Sequence, residues 1–214
     1  MHHEASHLVQ DGPKEVLLCD PCEQRISRNE KYFKEAIHLS RHNTKVLHNR
    51  QVAIIQGLDY SKAKLFLLSL IYRMSVSSLR QFGQISLGTH EGVLGDMIIT
   101  EDPGRNDQYA ITAMIPLIGG NMEECFLCTL PVSHRNGVTV CPMIVAGILY
   151  TFFIPGLSNR LHDIIALNTC LDQKWVLNES GEWIVPLIDF LDIPSVKAFL
   201  ERRINNQNHS QEHL

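Results

Sequence analysis

Asp59-Tyr60-Ser61-Lys62-Ala63-Lys64-Leu65-Phe66-Leu67-Leu68-Ser69-Leu70-Ile71-Tyr72-Arg73 is the stretch that decides the fold. Asp59 is a good N-cap, because its carboxylate can accept from a main-chain N–H left unpaired in the first helical turn. From Leu65 to Tyr72 the chain is apolar on nearly all sides, so a helix from Tyr60 to about Ser77 should be the central buried helix. Downstream, Thr89 can cap a second helix reaching roughly Ile99, before Asp102-Pro103-Gly104 ends it. The period then changes. Tyr109 to Leu117, Cys125 to Val132, Val138 to Cys141 and Ile144 to Phe153 read as strands, with Asn136-Gly137 as a type I′ hairpin signal. Trp175-Val176-Leu177 and Trp183-Ile184-Val185 flank Asn178-Glu179-Ser180-Gly181, which reads as a second hairpin. Ser195 to Ile204 reads as a last short helix.

Upstream of the central helix, Val52 to Ile55 reads as a short strand and the polar stretch His38 to Asn49 as a loop. Val16-Leu17-Leu18 is an apolar run leading into Cys19-Asp20-Pro21-Cys22. A helical pattern follows, with Ile26, Tyr32 or Phe33, and Ile37 on one face. The expected architecture is α+β: an N-terminal strand–Cys-x-x-Cys–helix element, a buried central helix and an antiparallel β-sheet in the C-terminal half. The corresponding division is a knuckle-like element over 1–50, a globular domain over 51–205 and a polar tail over 206–214.

Composition narrows the function classes. With 214 residues, 44% hydrophobic and 20% charged, the chain can bury a core, which excludes general disorder, collagen and coiled coil. A net charge of -4 excludes a protein that coats nucleic acid. Leu87 to Cys128 hold seven acids and one base, Arg105, a face that repels nucleic acid or meets a basic partner, or is simply solvated. There is no phosphate loop, no Gly-x-Ser-x-Gly elbow and no His-Glu-x-x-His. Leu65 to Tyr72 is the longest apolar run, and a span needs about 20 residues, so no membrane partner is expected. Met1 to Gln10 does not read as a signal peptide, and six cysteines then read as reduced thiols in a cytoplasmic protein. Cys141 and Cys170, standing alone, read as small buried thiols.

The Cys19-x-x-Cys22 pair carries the chemical information. Two intervening residues let both thiolates reach one tetrahedral Zn2+, for which His7, twelve residues earlier, and His2 or His3 are further candidate ligands. A second pair, Cys125 and Cys128, falls in an alternating strand where positions three apart face opposite ways, so core packing is its reading. A rival chemistry for Cys19 and Cys22 is redox, since a dithiol at a helix N-terminus is how disulfide exchange is presented; Asp20 beside Cys19 argues against it. A third reading is that both are merely buried.

Ser6-His7-Leu8-Val9, Gly12 and Val16-Leu17-Leu18-Cys19-Asp20-Pro21-Cys22-Glu23 resemble the second half of an HNH-type, zinc-knuckle endonuclease. Leu17 to Phe33 also resembles a group of uncharacterised bacterial proteins with a Leu-Leu-Cys-x-x-Cys-Glu segment. The resemblance implies structural zinc on Cys19 and Cys22, joined by His7 and His3, and His7 as the base that activates water in a metal-dependent nuclease. The family's first Cys-x-x-Cys falls before Met1, and Glu23 stands where the family has Asn. The resemblance therefore implies a degenerate knuckle in an accessory protein. Such a protein acts through a protein partner, possible contact with nucleic acid being through that partner, as in a bacterial phage-defence system. A nuclease with His7 as base is the alternative and a dithiol redox protein the third.

One further cluster is a candidate. Arg73 follows the buried helix, and Glu91 or Asp96 can pair with it to join two helices. Alternatively Arg73, His90 and Glu91 surround a polar pocket for phosphate or carboxylate at a helix N-terminus.

Overall fold

The computed structural model describes residues 15–38, 43–47, 50–122, 127–135, 137–156 and 175–189. Among the described residues, three α-helices and a mixed sheet make the chain α+β. Helix α1 is Asp20–His38, α2 is Tyr60–Val76 and α3 is His90–Thr100. Asp59 caps α2 as its sequence predicts, its carboxylate accepting from the Lys62 N–H at 3.1 Å. Ten of the 17 residues of α2 are buried, which follows from its all-round apolar centre.

The described residues form nine strands: β1 Asn43–Leu47, β2 Arg50–Gln56, β3 Gln108–Ile118, β4 Asn121–Met122, β5 Leu127–Thr129, β6 Ser133–Arg135, β7 Val138–Val145, β8 Ile148–Gly156 and β9 Glu182–Asp189. They lie in the order β1-β2-β9-β3-β8-β7-β5, with β4 beside β3 and β6 beside β7. Side chains alternate across it. Ile111, Phe152 and Val185 join one core cluster with Phe33, Leu67, Ile71 and Leu94 of the helices. Their neighbours Ala110, Phe153, Val52 and Ile184 form two smaller clusters on the opposite face.

Several expectations are corrected. Val16 to Leu18 form no strand; the chain there is irregular, Val16 is 95% exposed, and among the described residues no strand pairs with it. Part of the expected loop 38–49 is strand, because β1 borrows its hydrogen bonds from β2 in a hairpin. The sheet is therefore not confined to the C-terminal half, nor wholly antiparallel: β9 runs parallel to β3. The expected break after Cys141 is absent. β7 runs through Pro142 and turns at Ala146-Gly147, where φ of 50° and 76° makes the two-residue turn that hairpins favour. Trp175 to Leu177 do not pair with β9; Val176 bridges Thr112 of β3 and the Leu177 N–H donates to Ile111 O at 2.9 Å. Thr89 adopts an αR conformation and makes no side-chain cap. The predicted helix at Ser195–Ile204, the tail 206–214 and most of the 1–18 segment lie outside the described residues.

Candidate functional site

Cys19 and Cys22 stand at the entrance to α1. Glu23 N–H donates to Cys19 O at 3.0 Å, which makes Cys19 the N-cap and Cys22 the third helical residue. A Ser or Asp N-cap side chain accepts from the N–H of the second or third helical residue. Here the Cys19 sulfur takes that part. The Cys22 main-chain N–H and then its thiol bond to the Cys19 sulfur, and together they hold the Cys19 thiol below its ordinary range. Asp20 opposes this only as the weakest contribution. Cys22 moves the other way: its bond to the Cys19 sulfur, then desolvation, raise it. The two sulfurs are 3.3 Å apart, with Cys19 exposed and Cys22 half-buried. The reading of both as merely buried thiols is thus corrected for Cys19, because a helix entrance opens to water.

A latch fixes this entrance. Glu15 accepts from Ser77 Oγ at 2.6 Å, from Ser78 N–H at 3.0 Å and from Ser78 Oγ at 2.5 Å, so the chain just before the cysteines is tied to the end of α2. Farther along α1, Arg28 reaches Glu101 at 3.5 Å, and Arg25 also donates to Ile99 O at the end of α3. Part of the acidic face predicted between 87 and 128 is therefore satisfied by α1 itself.

Among the described residues no group of three or more His, Cys, Asp and Glu converges as a metal site, so the pair supplies two ligands of four. His3 and His7 lie outside the described residues, as do Cys125 and Cys170. Cys141 is buried as expected, and burial pushes its thiol up to about 11. Arg73, His90 and Glu91 make their bonds elsewhere. Arg73 Nε donates to Ser69 O at 3.3 Å, His90 Nδ1 meets Tyr109 Oη at 3.0 Å, and Ser75 Oγ donates to Glu91. Among the described residues no ion pair joins Arg73 to Glu91 or Asp96.

No family model, curated protein or solved structure matches this chain. What the chain can do therefore rests on its own residues.

Sequence reasoning missed Lys64, the one Lys in the apolar part of α2. It is 1% exposed, and Nζ donates to Tyr60 Oη at 2.9 Å, Arg105 O at 2.6 Å and Gln108 O at 2.8 Å. Tyr60 Oη in turn donates to Gly104 O at 2.8 Å. All three ammonium protons are used, so Lys64 clips the 104–108 loop to α2 and has none left for a ligand. The signal was present: a Lys four residues after Tyr60, directly at the start of the apolar run of a buried helix, is buried and needs acceptors. The clipped loop borders a cleft of about 600 Å³ lined by Arg105, Asp107, Gln108, Pro155 and Gly156. A second cleft of about 610 Å³ lies between α1 and the start of α2, where Arg28, Lys31 and Lys62 are balanced by Glu35, Asp59 and Glu101. Neither contains the cysteine pair.

Proposed function

We propose that this protein is an interaction protein whose N-terminal Cys19–Cys22 element holds Zn2+ as a degenerate HNH-like knuckle. Its role is accessory: it acts through a protein partner, in a nucleic-acid transaction such as phage defence. The observation that carries the reading is the convergence of two sulfurs to 3.3 Å on the first turn of α1, one of them exposed. A zinc ion bound by tetrahedral thiolates at about 2.3 Å needs sulfurs somewhat under 4 Å apart, which a small side-chain rotation supplies. Thiolates are the ligating form, and the N-cap position favours ionisation of Cys19. His7 and His3 are the proposed nitrogen ligands.

The test is zinc content per chain on freshly purified full-length protein, with thiol titration before and after chelation. About one zinc, with two thiols released on its removal and weaker retention in His7→Ala, supports the knuckle. Zinc-free protein whose thiols react freely overturns it.

A further inference from the structure

We infer that Cys19 and Cys22 form a dithiol that exchanges with low-molecular-weight disulfides, with Cys19 as the attacking sulfur and Cys22 as the resolving one. This goes beyond the metal reading and does not rest on it. The pair has what exchange requires. Cys19 is exposed and stands as N-cap of a 19-residue helix, its carbonyl accepting from the Glu23 N–H and its sulfur at the positive end of the helix dipole. Cys22 lies one turn on, less exposed, its sulfur 3.3 Å away. Closing a disulfide requires the sulfurs to approach to about 2 Å, which rotation about two side-chain torsions can provide without unwinding α1. Glu15 holds the residues just upstream against Ser77 and Ser78, so the dithiol sits on a fixed support. The remaining described thiol environment contrasts with it: Cys141 is 2% exposed within the sheet.

The step balances with glutathione disulfide as oxidant. The Cys19 thiolate attacks one sulfur of glutathione disulfide, a mixed disulfide forms, and one glutathione thiolate leaves. Cys22 then gives its proton to water or to that thiolate and attacks the Cys19 sulfur. The second glutathione leaves, and an intramolecular disulfide remains. Two protein thiols are oxidised and one glutathione disulfide is reduced to two glutathiones. The unequal exposure of the two thiols, Cys19 open to water and Cys22 half-buried, agrees with this division of roles. Where zinc is bound, oxidation and metal compete for the same sulfurs.

The experiment equilibrates full-length protein with glutathione/glutathione disulfide buffers. Intact mass and free-thiol count are read on the protein as purified and after chelator dialysis, with zinc content in parallel. The expected result after dialysis is loss of two hydrogens and two thiols with little mixed disulfide. Cys22→Ser should trap one glutathionyl group on Cys19, formed about tenfold faster near neutral pH than the group on Cys22 in Cys19→Ser. Cys19→Ser keeps an N-cap oxygen and Cys22→Ser leaves the Cys19 cap in place, so both variants should retain the helix, which far-UV circular dichroism checks. Thiols that stay free in excess glutathione disulfide after dialysis overturn the inference, and so does equal trapping in the two variants. Zinc content reads the knuckle separately: zinc-free protein that oxidises as described keeps this inference and sinks the metal reading, while zinc-bearing protein that never oxidises does the reverse.

Discussion

Lys64 is the residue whose energetics are most exposed to test. Its ammonium has three neutral oxygen acceptors and is 1% exposed, and burial pushes it down to about 8 from the ordinary 10.5. Between those two values the unfolded chain binds more protons than the folded one, so this group makes stability rise with pH across that window. Below about 8 both states are protonated and the burial penalty stands in full. Replacing Lys64 by Met keeps the length and removes the charge. Urea midpoints measured from about pH 7 to about pH 10 should climb more steeply in the parent than in Lys64→Met, and parallel curves would remove this account. Gly156 offers a second check at the same scale. A Cβ there would stand 2.2 Å from the main-chain oxygen of Asp107, which no side-chain rotation relieves. Gly156→Ala should therefore cost about 2 kcal/mol, read as a lower urea midpoint. Gly92→Ala, with nothing within 4 Å of the added carbon and a helical backbone, should leave stability level or raise it by about 0.5 kcal/mol.

At the scale of elements, α2 is the piece the others are built on. Leu67 is 0% exposed at its centre and belongs to the cluster shared by all three helices and the sheet. Leu67→Ala should cost about 2–5 kcal/mol in a denaturant titration, whereas a loss under about 1 kcal/mol would mean that α2 is not the packed centre. This helix was legible because its evidence is local: a capping Asp59 and an unbroken apolar run read the same in sequence and in space. The Cys19–Cys22 pair was legible for the same reason. What resisted reading depends on partners distant in sequence. Asn43–Leu47 has little apolar alternation and becomes strand only because Val52 to Ile54 lie opposite it. The strand read from Val138 stops at Cys141, yet Pro142 lies inside β7, opposite Thr151 of β8. The parallel pairing of Ile115–Leu117 with Leu187–Asp189 leaves no local mark at all. The latch between Glu15 and Ser77–Ser78 spans 62 residues, and the Lys64 clip joins residues 41 and 44 apart. Neither could be found by spacing.

For the molecule as a whole, the question is whether the helix that bears the cysteine pair folds with the sheet or as a separate unit. A line of rings crosses from one to the other. Phe33 of α1 lies 5.0 Å from Phe66 of α2 and 6.1 Å from Tyr150 of β8, which lies 6.2 Å from Trp183 of β9. Ile37 adds a second buried residue from α1 to the same cluster, and β1 and β2, which precede α2, pair into the sheet through β9. A helix so placed has no core of its own, since its exposed face carries Arg28, Lys31 and Lys34. Helix and sheet should then unfold together. Far-UV circular dichroism reports mainly the helices, while Trp183, 1% exposed, and Trp175, which donates to Ala113 O of β3, report the sheet by fluorescence. The two urea transitions should superimpose. Phe33→Ala, which removes a ring that is 6% exposed, should cost about 3–5 kcal/mol and move both midpoints together. If it lowers only the helical transition and leaves the tryptophan signal where it was, α1 is an independent unit. Chemistry at Cys19 and Cys22 would then have no thermodynamic route to the sheet. If both move, a disulfide or a metal at the entrance of α1 acts on the stability of the whole fold, because whatever binds or links the folded helix biases the one transition it shares.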